Sequence, residues 1–201
     1  MSREAFVADV ERVIEALDLA PAVLVGQSMG ANTAFLVGGS RPDLVAALVI
    51  IEASPDGPAP DLPGQIQAWL ELWPVQFASL ELARRFFSAQ GLTPDPWTAG
   101  LELRGDGLWP CFDEQVMVEC IADLVSRDYW PQWDAIRCPT LIVRGECGDL
   151  TAEHVDLLAS RLTQAETVTI PGPNMTFTSR RLASGCEHCR AFSSVMALAD
   201  R

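Results

Sequence analysis

Between residues 4 and 17 the apolar positions fall at Phe6, Val7, Val10, Val13, Ile14 and Leu17, with Glu and Arg on the opposite face. That spacing predicts an amphipathic helix. The run Ala-Val-Leu-Val at 22–25 is too short for a helix and suits a strand buried on both faces. A turn at 26–30 leads into a predicted helix over 31–39, which closes on glycines. After Arg41-Pro42-Asp43, residues 44–52 form a second buried strand. Breakers fill 54–64, and from about 65 to 135 the pattern is helical and aromatic, with no strand expected. Strand character returns at 140–144. A helix with a threonine near its start follows over 151–162, then a last strand at 166–170 stopped by Pro171-Gly172-Pro173.

Short buried strands alternating with helices imply an α/β fold with a parallel sheet. The expected division is a core at 1–55, a helical cap inserted at 56–137, the core continued at 138–173, and a tail at 174–201. Ligands bind at the C-terminal edge of such sheets, which the insertion would cover.

The 201 residues suffice for one sizeable core. A net charge of -13, with arginine as the sole basic residue type beside two histidines, argues against nucleic acid and anionic membrane surfaces. No apolar run reaches a membrane span and no signal peptide is visible, so the expected location is the cytoplasm. Cys111, Cys120, Cys138 and Cys147 lie among apolar neighbours and are expected to be reduced and structural. Cys186 and Cys189 form a CxxC without a second ligand pair, so no metal site is expected.

Chemistry concentrates at Gly26-Gln27-Ser28-Met29-Gly30, between a strand and a helix. A serine hydroxyl is a weak nucleophile until a histidine removes its proton. A sharp strand-to-helix turn lifts Oγ clear of the sheet, and crowding in that turn calls for Gly26 and Gly30. The helix N-terminus aims N–H groups at a developing oxyanion, with Met29 as a donor. Two carboxylates stand open as the group that orients a histidine: Glu52 at a strand end and Asp149 after the next strand. The alternatives are a solvated strand end for Glu52 and a helix cap for Asp149.

Val23-Leu24-Val25-Gly26-Gln27-Ser28-Met29-Gly30 resembles the fifth strand and nucleophile elbow of the α/β-hydrolase family. Arg41 to Val49, Cys138 to Glu146 and Val168 to Gly172 resemble the segments around its sixth, seventh and eighth strands. The resemblance implies a partial α/β-hydrolase fold and hydrolysis of a small organic, ester-like substrate by Ser28. No cofactor is needed, and the oligomeric state stays open. It leaves C–C hydrolase, lyase and cofactor-free haloperoxidase chemistry, or a catalytically dead fragment, as alternatives. Tryptophans 69, 73, 97, 109, 130 and 133 point to an apolar pocket or to core.

Two family features are missing. Its first four strands, with the loop giving the second oxyanion N–H, would precede the helix at 4–17, so an N-terminal truncation is expected. The histidine after the eighth strand is also absent; the two histidines are His154, expected to face solvent, and His188 in the tail. The tail holds four arginines against two acids, and a frameshift near Pro173–Asn174 would explain it. The shifted codons permit His-Asp-Val-His-Leu-Glu-Ala-Pro. The chain as written is expected to be impaired.

Overall fold

A computed structural model describes residues 2–171; the tail, with its frameshift, its CxxC and His188, lies outside the described residues. In chain order the elements are α1 (Arg3–Ala16), β1 (Ala22–Gln27), α2 (Met29–Ser40), β2 (Val45–Ile51), α3 (Leu62–Leu70), α4 (Leu80–Ala89) and α5 (Pro94–Ala99). Then come β3 (Leu101–Arg104), β4 (Gly107–Pro110), α6 (Glu114–Leu124), α7 (Trp130–Asp134), β5 (Thr140–Gly145), α8 (Ala152–Ser160) and β6 (Ala165–Ile170). They form two compact units, one over 59–125 and one combining 2–58 with 126–171.

The second unit is built on a four-stranded sheet in the order β1-β2-β5-β6. Every pairing is parallel, with Gln27 opposite Ile51, Ile51 opposite Val143 and Gly145 opposite Ile170. Side chains alternate across a strand, so β2 serves both faces. Ala47, Val49 and Ile51 pack with Leu141, Val143 and Ile170. On the other face Leu48 meets α2, where Gly38 leaves no room for a side chain beside its Cδ1. The helix α2 is largely apolar and is buried from Ala31 to Gly38, with Asn32 and Thr33 as its buried polar residues. Phe35 of α2 stands edge-on to Trp133 at 5.3 Å, and Trp133 donates from Nε1 to the Leu158 carbonyl at 3.1 Å.

The helices at 4–17 and 151–162 are realised one or two residues shorter or shifted, within the uncertainty of helix ends. Ser2 caps α1 by accepting from Ala5 N–H, and Thr151 caps α8 by accepting from His154 N–H. The strand at 22–25, expected to be buried on both faces, is not: Val25 is 59% exposed. Among the described residues β1 has a strand on one side only, and α1, α2 and β1 border an open apolar groove of about 550 Å³.

The 59–125 unit holds the second correction. β3 and β4 pair antiparallel across Gly105-Asp106, with Gly105 at φ 59°. The signal was present as Leu-Glu-Leu-Arg alternation before a Gly-Asp turn, but four-residue strands fall below a run-length reading. Trp69, Trp73 and Trp97 stand edge-to-face among themselves, Trp73 is edge-on to Phe86 and Phe87, and Phe87 stacks on Trp97; Phe77, Ala83 and Phe87 are the buried centre of this unit's core. Trp133 is core in the other unit, and Trp130 lies under the Arg161 guanidinium. Trp109 lines a small pocket of about 280 Å³ beside Trp73 and Phe112.

Two cysteine assignments also change. All four described cysteines are free, but Cys111 and Cys147 are exposed in turns, while Cys120 is buried. Burial pushes the Cys138 thiol up.

Replacing Trp133 with Phe keeps the ring but orphans the Leu158 carbonyl. Urea midpoints are expected to show a loss of about 1–3 kcal/mol.

Candidate active site

Ser28 follows β1 and precedes the first residue of α2 at φ 51°, ψ -122°, a region that non-glycine residues seldom adopt. Several bonds hold it there. Its N–H donates to the Ile51 carbonyl at 2.8 Å, and its own carbonyl accepts from Ala31 N–H, Asn32 N–H and Asn32 Nδ2. Its hydroxyl does not cap the helix and makes no hydrogen bond to another described residue. Met29 and Gly30 open the helix, where the first N–H groups have no partner inside it. Met29 and Gln27 are half-buried.

The two glycines of this turn differ. A methyl on Gly26 would lie 2.5 Å from Ala31 Cα and from the Gly30 carbonyl oxygen, both backbone atoms. A methyl on Gly30 would meet nothing within 4 Å. The expected need for glycine therefore holds at Gly26 and is corrected at Gly30, which is exposed and borders the groove beside β1.

Behind the first turn, Arg3 is buried and donates to Thr33 Oγ1 at 2.9 Å and, at the limit of hydrogen bonding, to the Met29 carbonyl. Thr33 Oγ1 also donates to the Met29 carbonyl. Sequence reasoning missed Arg3, because a charged residue in a helix's first turn normally faces solvent.

Glu52 follows β2, the strand paired with β1, and it too has positive φ, at 49°. It is 8% exposed, so the solvated strand end is corrected. Its Oε1 accepts from Gly145 N–H, while Oε2 is buried without a partner. Burial pushes its carboxyl above the usual range, against the Gly145 hydrogen bond, and nearby Asp149 pushes the same way. Asp149 is exposed in the loop after β5, and the cap of α8 is Thr151, so Asp149 is no helix cap.

His154 does not face solvent freely. Its Nε2 is buried and stands 2.7 Å from Asp56 Oδ2, close but too poorly aligned for a hydrogen bond. The expectation of exposure failed because the loop after β2 comes to meet the first turn of α8. Among the described residues no group of three or more His, Cys, Asp or Glu side chains could hold a metal ion, and no helix is long and apolar enough to cross a membrane.

Two outcomes follow from this geometry. Gly26→Ala forces a methyl into backbone and is expected to cost at least about 1–3 kcal/mol in thermal or urea unfolding. For Glu52 the sign is set by its raised proton affinity in the folded state. The favourable contribution is complete below the ordinary glutamate range, near 4, and is lost as pH rises through the raised value. Glu52→Gln has no such loss. The stability gap between variant and parent, measured by urea midpoints from pH 4 to 7, is expected to move in the variant's favour as pH rises. A gap independent of pH would mean that Glu52 is solvated.

Comparison with known proteins places this geometry in a family. Residues 2–193 match the model of the alpha/beta hydrolase family. The chain is 46% identical to the sn-1-specific diacylglycerol lipase ABHD11 of Mus musculus over 59 residues, which is 29% of this chain and 19% of that protein. It is 27% identical to 2-(acetamidomethylene)succinate hydrolase of Mesorhizobium japonicum over 176 residues, 82% of this chain and 61% of that protein. The chain thus spans less than two thirds of either curated relative. A crystal structure of E-2-(acetamidomethylene)succinate hydrolase superposes with a TM-score of 0.76 at 19% identity, covering 100% of this chain and 74% of that one. The family model runs over nearly the whole sequence, and its fold is the one found here: the chain belongs to the alpha/beta hydrolase family.

Proposed function

We propose that this chain carries the nucleophile of a hydrolase acting on a small organic substrate with an ester-like bond. Ser28 Oγ attacks the carbonyl carbon, the carbonyl π pair moves onto oxygen, and the resulting oxyanion is bound by Met29 N–H. A histidine takes the Ser28 proton and returns it to the leaving group. Water then cleaves the acyl-enzyme by the same route. The observation that carries this reading is the positive φ of Ser28 at a strand-to-helix turn, with its hydroxyl left uncommitted. Strain of this kind costs on the order of 1–3 kcal/mol and persists where the surroundings over-determine it.

Glu52 is the acid of this proposal. It is buried, it ends the strand next to that of Ser28, and Oε2 has room in its hydrogen bonding for one N–H donor. Asp149, in water, would orient a histidine weakly. The base is the weak member: His154, the one histidine among the described residues, is held against Asp56. The described residues therefore offer no uncommitted histidine, and a slow reaction of the chain as given is part of the proposal.

A fluorophosphonate probe tests the reading. The wild-type chain is expected to be labelled slowly at one site, identified by peptide mass as Ser28, and Ser28→Ala is expected to remain unlabelled. Equal labelling of the two proteins would overturn the nucleophile assignment.

A further inference from the structure

Gly148 lies in the turn after β5, and nothing in its own backbone requires glycine. Among the described glycines positive φ occurs at Gly91 and Gly105, not at Gly148. What the position does require is empty space. A methyl there would overlap Glu52 Oε1 and lie 2.6 Å from both Cδ and Oε2. The Cβ direction of residue 148 thus points into the volume that the Glu52 carboxyl fills. The neighbour is the end of a side chain, so a methyl at 148 would be accommodated by expelling that carboxyl rather than by breaking the fold.

We propose that Gly148 is a positioning residue: its missing side chain is the seat of the Glu52 carboxyl, so that positions 52 and 148 compete for one acid site. The remaining walls of the seat agree. Gly145 N–H donates to Oε1, the Leu150 backbone N–H lies close enough to favour the charged carboxyl, and Oε2 is buried without a hydrogen bond of its own. Glu52 itself has positive φ, and its carboxyl reaches the loop after β5 at Gly145 and Gly148. The charged groups that act on the carboxyl are Asp149 in the same loop and Arg144 on β5. The role in catalysis rests on the reading of Glu52 as the acid; the seat itself does not.

The test is a double-mutant cycle with two readouts. In urea unfolding, Gly148→Ala is expected to destabilise the parent but to be nearly neutral in a Glu52→Ala background, because the methyl then fills space already vacated. Should Gly148→Ala alone fail to fold, recovery of folding in the Glu52→Ala/Gly148→Ala pair gives the same answer. Additive effects of the two changes would overturn the seat. The second readout is the rate at which a fluorophosphonate labels Ser28 across pH. Gly148→Ala is expected to slow labelling to the rate of Glu52→Ala, since either change takes the carboxyl from its place. Glu52→Ala/Gly148→Asp, which supplies a carboxylate from the other side of the same seat, is expected to recover at least about tenfold over Glu52→Ala and to restore its acid limb. Failure of that recovery, with coupling absent, sinks the proposal. Coupling in unfolding with no labelling of any protein, wild type included, leaves the seat standing and removes the hydrolase reading instead.

Discussion

The contact between Gly26 and the first turn of α2 is the constraint on which the rest of the site depends. Ala31 approaches Gly26 so closely that no side chain fits between them. Only with that approach does the chain turn from β1 directly into α2, and only in that turn is Ser28 driven to positive φ. The strain is local, but the forces that hold it are not. Ser28 N–H is anchored on Ile51 of the neighbouring strand, and its carbonyl collects three donors from one helical turn. Arg3 and Thr33 converge on the Met29 carbonyl from behind. An unfavourable conformation of one residue is thereby fixed by a parallel pairing, a helix start and a buried guanidinium together.

The same edge of the sheet carries a second forced residue. Ser28 and Glu52 follow adjacent parallel strands, and among the described residues three non-glycine positions have positive φ, Asp18 being the third. In regular parallel sheets the chain leaves each strand without such distortion. Two distortions side by side at the C-terminal edge, one presenting a hydroxyl and the other burying a carboxyl, set this edge apart from the rest of the molecule. It is also where α/β sheets bind ligands.

Much of this was legible in the sequence. Apolar runs located β2 and β5, because a strand covered on both faces needs no alternation; β1 gave the same signal although its Val25 is exposed. The Gly-x-Ser-x-Gly turn was legible because its context was, a strand before and a helix after. The less legible parts were those decided by distant contacts. Burial of Glu52 depends on the loop at 145–150 folding over it, and nothing local to residue 52 announces that. Burial of Arg3 depends on Thr33, thirty residues away in sequence. His154 is drawn to Asp56 by a loop nearly a hundred residues earlier in the chain. The hairpin of β3 and β4 was missed for the opposite reason: its pattern is local but too short to outweigh the helical composition around it.

The choice between two carboxylates turns on dielectric rather than on spacing. Two unit charges 4 Å apart interact by about 1 kcal/mol in water and about 4 kcal/mol at an effective dielectric near 20. An exposed Asp149 sits in the first regime, and a histidinium gains little from it. Glu52 sits nearer the second, and burial is what raises its proton affinity. The same burial therefore both strengthens the carboxylate as a partner for a developing positive charge and makes it reluctant to ionise without one. A carboxyl of that kind releases its proton most readily when a cation arrives beside Oε2. That couples ionisation of the acid to formation of the imidazolium, so in the proposed reaction Glu52 would gain its charge together with the group that it stabilises.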